Sequence, residues 1–72
     1  MEVMHPSVQT LLHFFKYAHL PAHLQEHSKP LCDLALHMAE TLPQNAELTT
    51  GLRKLLEAKD CFVRAALSQD KE

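Results

Sequence analysis

Three histidines, His19, His23 and His27, recur every four residues. On one continuous helix that spacing would align three imidazoles for a transition metal. Pro21 interrupts the run, and no carboxylate or thiolate stands at a familiar ligand spacing beside it. The three read as exposed polar residues in a link, and no metal is expected. Cys32 and Cys61 form no Cys-x-x-Cys pair and have no evident histidine to orient them. They fit buried, apolar-like thiols better than a nucleophile. Nucleophile–base pairs, paired carboxylates in an apolar cleft and glycine-rich phosphate loops are missing from the sequence. Neither catalysis nor a cofactor is expected.

A second cluster is more suggestive. Phe14, Phe15 and Tyr17 are three of the four aromatic residues, and His19 follows after Ala18. Lys29 comes next, at what reads as the start of a helix. Core packing accounts for Phe15, but Tyr17 lies off the apolar stripe and just ahead of Pro21. A stacking ring, a nearby cation and a helix N-terminus are the groups that a small nucleotide anion requires. Lys59 falls near the middle of an apolar helix face. It either snorkels out at the bundle edge or turns its ammonium to a polar partner or ligand inside an assembly. Arg53 with Glu57 and Asp60 with Arg64 are i, i+4 pairs on a solvated face.

The elements that must position these residues are helices. There is one glycine, Gly51, and 46% of the residues are apolar. The spacing predicts a first helix over 7–19, with Ser7 as N-cap and Val8, Leu11, Leu12 and Phe15 on one stripe, ended by Pro21. Residues 20–27 read as an irregular link or a single turn. Ser28-Lys29-Pro30 reads as the start of a second helix over 28–42, because proline suits a first helical turn. After Pro43, Asn45 is a candidate N-cap for a third helix over 46–68, followed by a frayed tail over 69–72. The expected fold is all-α: a short N-terminal helix and an antiparallel two-helix hairpin, in a single domain.

Seventy-two residues with a net charge of −2 limit the function classes. Seven basic residues against nine acidic ones do not make the cationic surface that duplex DNA requires. No signal peptide and no membrane span is read, and two cysteines are too few for a disulfide framework. A core this small supplies only about 3–5 kcal/mol, so oligomerisation is the expected reinforcement. The wheels agree: Leu31, Leu34, Ala35, Met38 and Leu42 are widened by Cys32, Leu36 and Ala39, while Leu48, Leu52, Leu55, Leu56, Phe62, Val63, Ala66 and Leu67 make a face broader than one hairpin can cover. With a second helix of only about 20 Å, the distal half of the third, around Phe62 and Val63, is expected to overhang it.

The run Phe15-Lys16-Tyr17-Ala18-His19-Leu20-Pro21, then Leu24-Gln25, Ser28-Lys29-Pro30, Leu34-Ala35, Leu42-Pro43, Glu47, Leu52 to Asp60 and Val63-Arg64-Ala65-Ala66 resembles the small phage anti-CBASS proteins of the anti-CBASS/anti-Thoeris hairpin family. The resemblance spans about Phe14 to Leu67 and rests on order and spacing, since each motif is short. It implies a compact homo-oligomer, often a hexamer, that binds cyclic dinucleotides between subunits without cleaving them. Some members also hold cyclic trinucleotides at separate sites. It further implies a phage-encoded protein acting in the host cytoplasm. The resemblance implies Phe15, Tyr17 and Lys29 as ligand residues, with Tyr17, or Phe15 in another register, as the stacking ring; the residue pattern adds His19 and Lys59 to the candidate ligand set. Ala18 stands where family members carry a histidine, and Leu48 where they often carry arginine. A different reading of the same residues is a small helical adaptor that docks its broad apolar face on a host protein.

Overall fold

The computed structural model describes residues 4–68, so the tail expected to fray over 69–72 lies outside the described residues. Three helices, and no strand among the described residues, follow one another: α1 (Pro6–His13), α2 (Ala22–Thr41) and α3 (Ala46–Ser68). The all-α expectation holds, and α3 has the expected bounds. The first two helices differ from expectation, each for an identifiable reason.

The N-cap of α1 is His5 rather than Ser7. Its Nδ1 accepts from the Ser7 backbone N–H at 3.2 Å. Pro6 then occupies the first turn, where its missing N–H is no loss. The helix stops at His13 instead of reaching residue 19. Phe14, Phe15 and Lys16 donate to carbonyls three residues back, which tightens the last turn. Phe15 swings into the core, where none of its surface is exposed. Burying that ring ends the helix five residues before the link's Ala18–His19 turn.

The second helix begins at Ala22, six residues before the expected start, and Pro30 lies inside it. Leu24, Ser28, Ala35 and Ala39 are buried, with Leu31 half-buried between them. The spacing 24, 28, 31, 35, 39 is one helical stripe, so the buried face continues straight through the proline. Pro30 cannot donate to the Glu26 carbonyl. Both residues are exposed, and water can serve that oxygen.

Leu42 closes α2 by donating to the Met38 carbonyl at 3.1 Å, and Gln44 Nε2 donates to the Ala39 carbonyl at 2.9 Å. Asn45 caps α3 as expected: its Oδ1 accepts from the Leu48 N–H at 2.9 Å. Val8, Leu11 and Phe15 pack against Ala35 and Ala39 of α2 and Leu48 and Leu52 of α3. The two alanines let the helices approach closely.

The early start of α2 also corrects the expected overhang. At 20 and 23 residues, α2 and α3 differ by about 5 Å in length. The distal half of α3 is therefore flanked by α2: His27, Pro30 and Leu31 face Phe62, Ala65 and Ala66 across a 380 Å³ cleft. The breadth of the apolar faces remains. Leu34, Leu42 and Phe62 are exposed by 40%, 45% and 54%.

Candidate ligand site

Residues 14–21 join α1 to α2 and carry Tyr17. Long side chains from both neighbouring helices hold this link in place. Gln25 Nε2 donates to the Leu20 carbonyl at 2.7 Å and to the Ala18 carbonyl at 3.4 Å. Lys59 Nζ donates to the Phe14 carbonyl at 2.8 Å and lies 3.4 Å from the Asp60 carboxylate. Within the link, the Leu20 N–H donates to the Tyr17 carbonyl at 2.9 Å. Tyr17 itself is half-buried.

Lys29 projects from α2 into solvent, where its Nζ donates to Asp33 Oδ2 at 2.9 Å. That hydrogen bond, and then the Asp33 charge, raise the Lys29 ammonium above its ordinary pKa, and the Tyr17 phenol adds in the same direction. Ring and cation are thus within electrostatic reach of each other. The pair with Asp33 is a surface i, i+4 ion pair and adds little to stability. Cys32 is half-buried. Burial pushes its thiol up, Asp33 reinforces this, and Lys29 and Lys59 both oppose it.

The expected site residues therefore divide. Lys59 reaches the link from α3, Tyr17 lies half-buried within it, Lys29 is exposed on α2 within electrostatic range of Tyr17, and His19 is exposed in the adjoining turn. Phe15 is a core residue with no exposed surface to offer a base. Lys59, with only 12% of its side chain exposed, turns its ammonium to the Phe14 carbonyl of the link and to Asp60. Lys29 also loses one expected advantage. It stands in the third turn of α2, beyond the first turn in which a helix N-terminus favours anions.

Asp33 and Gln25 are the site residues that sequence reasoning missed. The i, i+4 spacing of Lys29 and Asp33 signals their pairing, but only once a continuous helix covers both. For Gln25, four residues beyond Pro21, the sequence carries no comparable signal. Among the described residues no group of three His, Cys, Asp or Glu side chains is arranged to hold a metal ion. No described helix is long and apolar enough to cross a membrane. No protein-family model, curated protein or solved structure matches the chain.

Proposed function

We propose that the protein sequesters a cyclic dinucleotide second messenger, binding it between identical subunits without cleaving it, so that a host defence effector goes unactivated. The observation that supports this most directly is that Tyr17 is held on a link fixed by Gln25 and Lys59, with Lys29 exposed on α2 within electrostatic range of it. A cyclic dinucleotide carries two bases and two phosphates about an approximate twofold. A twofold between subunits presents each contributing residue twice. Each Tyr17 stacks on one base, worth about 1–3 kcal/mol per base. Each Lys29 faces one phosphate with the ammonium donors that Asp33 leaves unused. A link held at both ends costs less ordering on binding than a free loop, which favours affinity.

Isothermal titration with a panel of cyclic di- and trinucleotides tests this reading. A cyclic dinucleotide should bind at one per two chains and be recovered intact after heat denaturation. Lys29→Glu should abolish binding while leaving the assembly whole, and Tyr17→Ala should weaken it strongly. Undiminished binding by Lys29→Glu would overturn the site. A linearised product would make the protein a phosphodiesterase.

A further inference from the structure

Residues 21–30 carry three features that the long α2 leaves unsupported. Ser28 has no exposed surface, and its hydroxyl finds no hydrogen-bond partner among the described residues. A buried hydroxyl in that condition opposes folding. Two residues on, Pro30 withholds the N–H that the Glu26 carbonyl would accept from. At the other end, Pro21 stands as N-cap with no side-chain acceptor for the free N–H groups, and no acidic residue occupies the first turn. The core cluster that joins α1 to Ala35, Ala39, Leu48 and Leu52 contains none of residues 22–29.

A shorter helix answers all three. In a helix that begins at Lys29, Ser28 is the N-cap, and its hydroxyl accepts from the Leu31 N–H. Pro30 falls in the first turn, where its missing N–H is no loss. The Glu26 carbonyl then lies in extended chain, open to water, and Pro21 is no longer a cap. The Ser28 carbonyl accepts from the Cys32 N–H in both helices, so the bonds from there to Thr41 need not change. Against the shorter helix stand the backbone bonds of residues 22–28 and the burial of Leu24, which is 5% exposed in the long one. Each form satisfies groups that the other leaves wanting, and Ser28 with Pro30 marks the boundary between them.

We infer that α2 is a two-state helix, in which residues 22–28 wind and unwind as one unit between the long form and a shorter form capped by Ser28. Such a unit is a local opening within an otherwise folded bundle. It carries Gln25, whose Nε2 donates to the Leu20 and Ala18 carbonyls in the long form. Unwinding releases that hold and leaves the link to Phe15 and Lys59. The state of α2 thus sets how firmly Tyr17 is presented. The device belongs to the chain without ligand, so failure of nucleotide binding would not touch it.

Hydrogen exchange on the ligand-free protein, resolved residue by residue, tests this. The amides of Glu26 to Lys29 should share one protection factor, about tenfold or more below that of Asp33 to Thr41. Two variants should close the unit. Ser28→Ala removes both the unpaired hydroxyl of the long form and the cap of the short one, and Pro30→Ala returns a donor to the Glu26 carbonyl. Each should slow exchange at 26–29 by about tenfold or more, and by several-fold more than at 33–41. Ser28→Asp pulls the other way, since aspartate caps as well as serine but is far costlier to bury without a partner. It should lose the helical circular dichroism of residues 22–28 and lower the anisotropy of Tyr17 emission, while the thermal transition stays cooperative. A gradual loss of protection from Lys29 back to Glu26, as in ordinary end fraying, would overturn the inference. So would unchanged exchange in Ser28→Ala and Pro30→Ala, or loss of the whole fold in Ser28→Asp.

Discussion

The two connections between helices are held in opposite ways. The turn between α2 and α3 is secured by its own residues: Gln44 reaches back to the Ala39 carbonyl and Asn45 accepts from the Leu48 N–H. Each of these partners lies three to five residues away, and the one distant contact, Gln44 Oε1 accepting from the His5 N–H at 3.1 Å, is made by a residue the turn has already fixed. The link between α1 and α2 draws on distant groups. Phe15 anchors it in the core, and Lys59 reaches the Phe14 carbonyl across 45 positions of sequence. A turn built from local caps can form with its helices. A link held from α3 forms only when the bundle has assembled, and in this chain that link carries the candidate ligand residue.

The sharpest way to break the contrast is Phe15→Ala. Removing a fully buried phenylalanine costs about 3–5 kcal/mol, the same size as the stability expected of a single core this small. The variant should lose its cooperative thermal transition by circular dichroism at concentrations where the parent melts sharply. Retention of a parent-like melt would mean that the link is not anchored by its ring.

Lys59→Met removes the ammonium while keeping much of the stem. A hydrogen bond to a charged group is worth about 1.5–3 kcal/mol. The low end applies here, since Phe14 is exposed and water can replace the donor. Tyr17 is the only tyrosine and there is no tryptophan, so intrinsic emission reports this link alone. In Lys59→Met, Tyr17 should become easier to quench with acrylamide and show lower anisotropy, and Lys59→Arg should restore both. An unchanged emission would show that Gln25 suffices to hold the link.

The same contrast explains what the sequence disclosed. Asn45 as a cap, Pro43 after the end of α2, and all of α3 were legible because their causes lie within one helical turn. The end of α1 and the start of α2 were not. Pro21 and Pro30 are strong local signals, and Pro30 pointed to a helix start where the helix in fact runs through. Burial of Leu24 on the same stripe as Ala35 and Ala39 outweighs that local preference, even though Ser28 is buried with its hydroxyl unpaired. In the site, Tyr17 and Lys29 were legible as residue types, whereas the parts of Phe15, Lys59 and Gln25 depend on long-range packing.

At the locally held turn the expected loss is smaller. Asn45→Ala removes the α3 cap, worth about 1 kcal/mol. It should lower the melting temperature by several degrees while leaving Tyr17 emission unchanged, because nothing in the link depends on that cap. A change in Tyr17 emission would show that the two connections are coupled through α3.

The smallest effect on stability is expected from Asp33→Asn, beside the link. In the folded chain the hydrogen bond to Asp33, and then its charge, raise the Lys29 ammonium above the ordinary lysine value. A raised folded value means that the protonated form is favoured by folding. The contribution is complete below the unfolded value and is lost only as pH rises through the folded one. Between about pH 6 and pH 9 Lys29 stays charged in both states, so the difference in melting temperature between parent and variant should be small and constant, shrinking only in more alkaline solution. Ligand binding should respond far more. The Asp33 carboxylate competes with a phosphate for the same ammonium and repels it at short range. Asp33→Asn should therefore tighten cyclic dinucleotide binding several-fold in calorimetry, with the gain reduced at high salt. Weaker binding in the variant would place the phosphate away from Lys29 and make Asp33 itself part of the recognition.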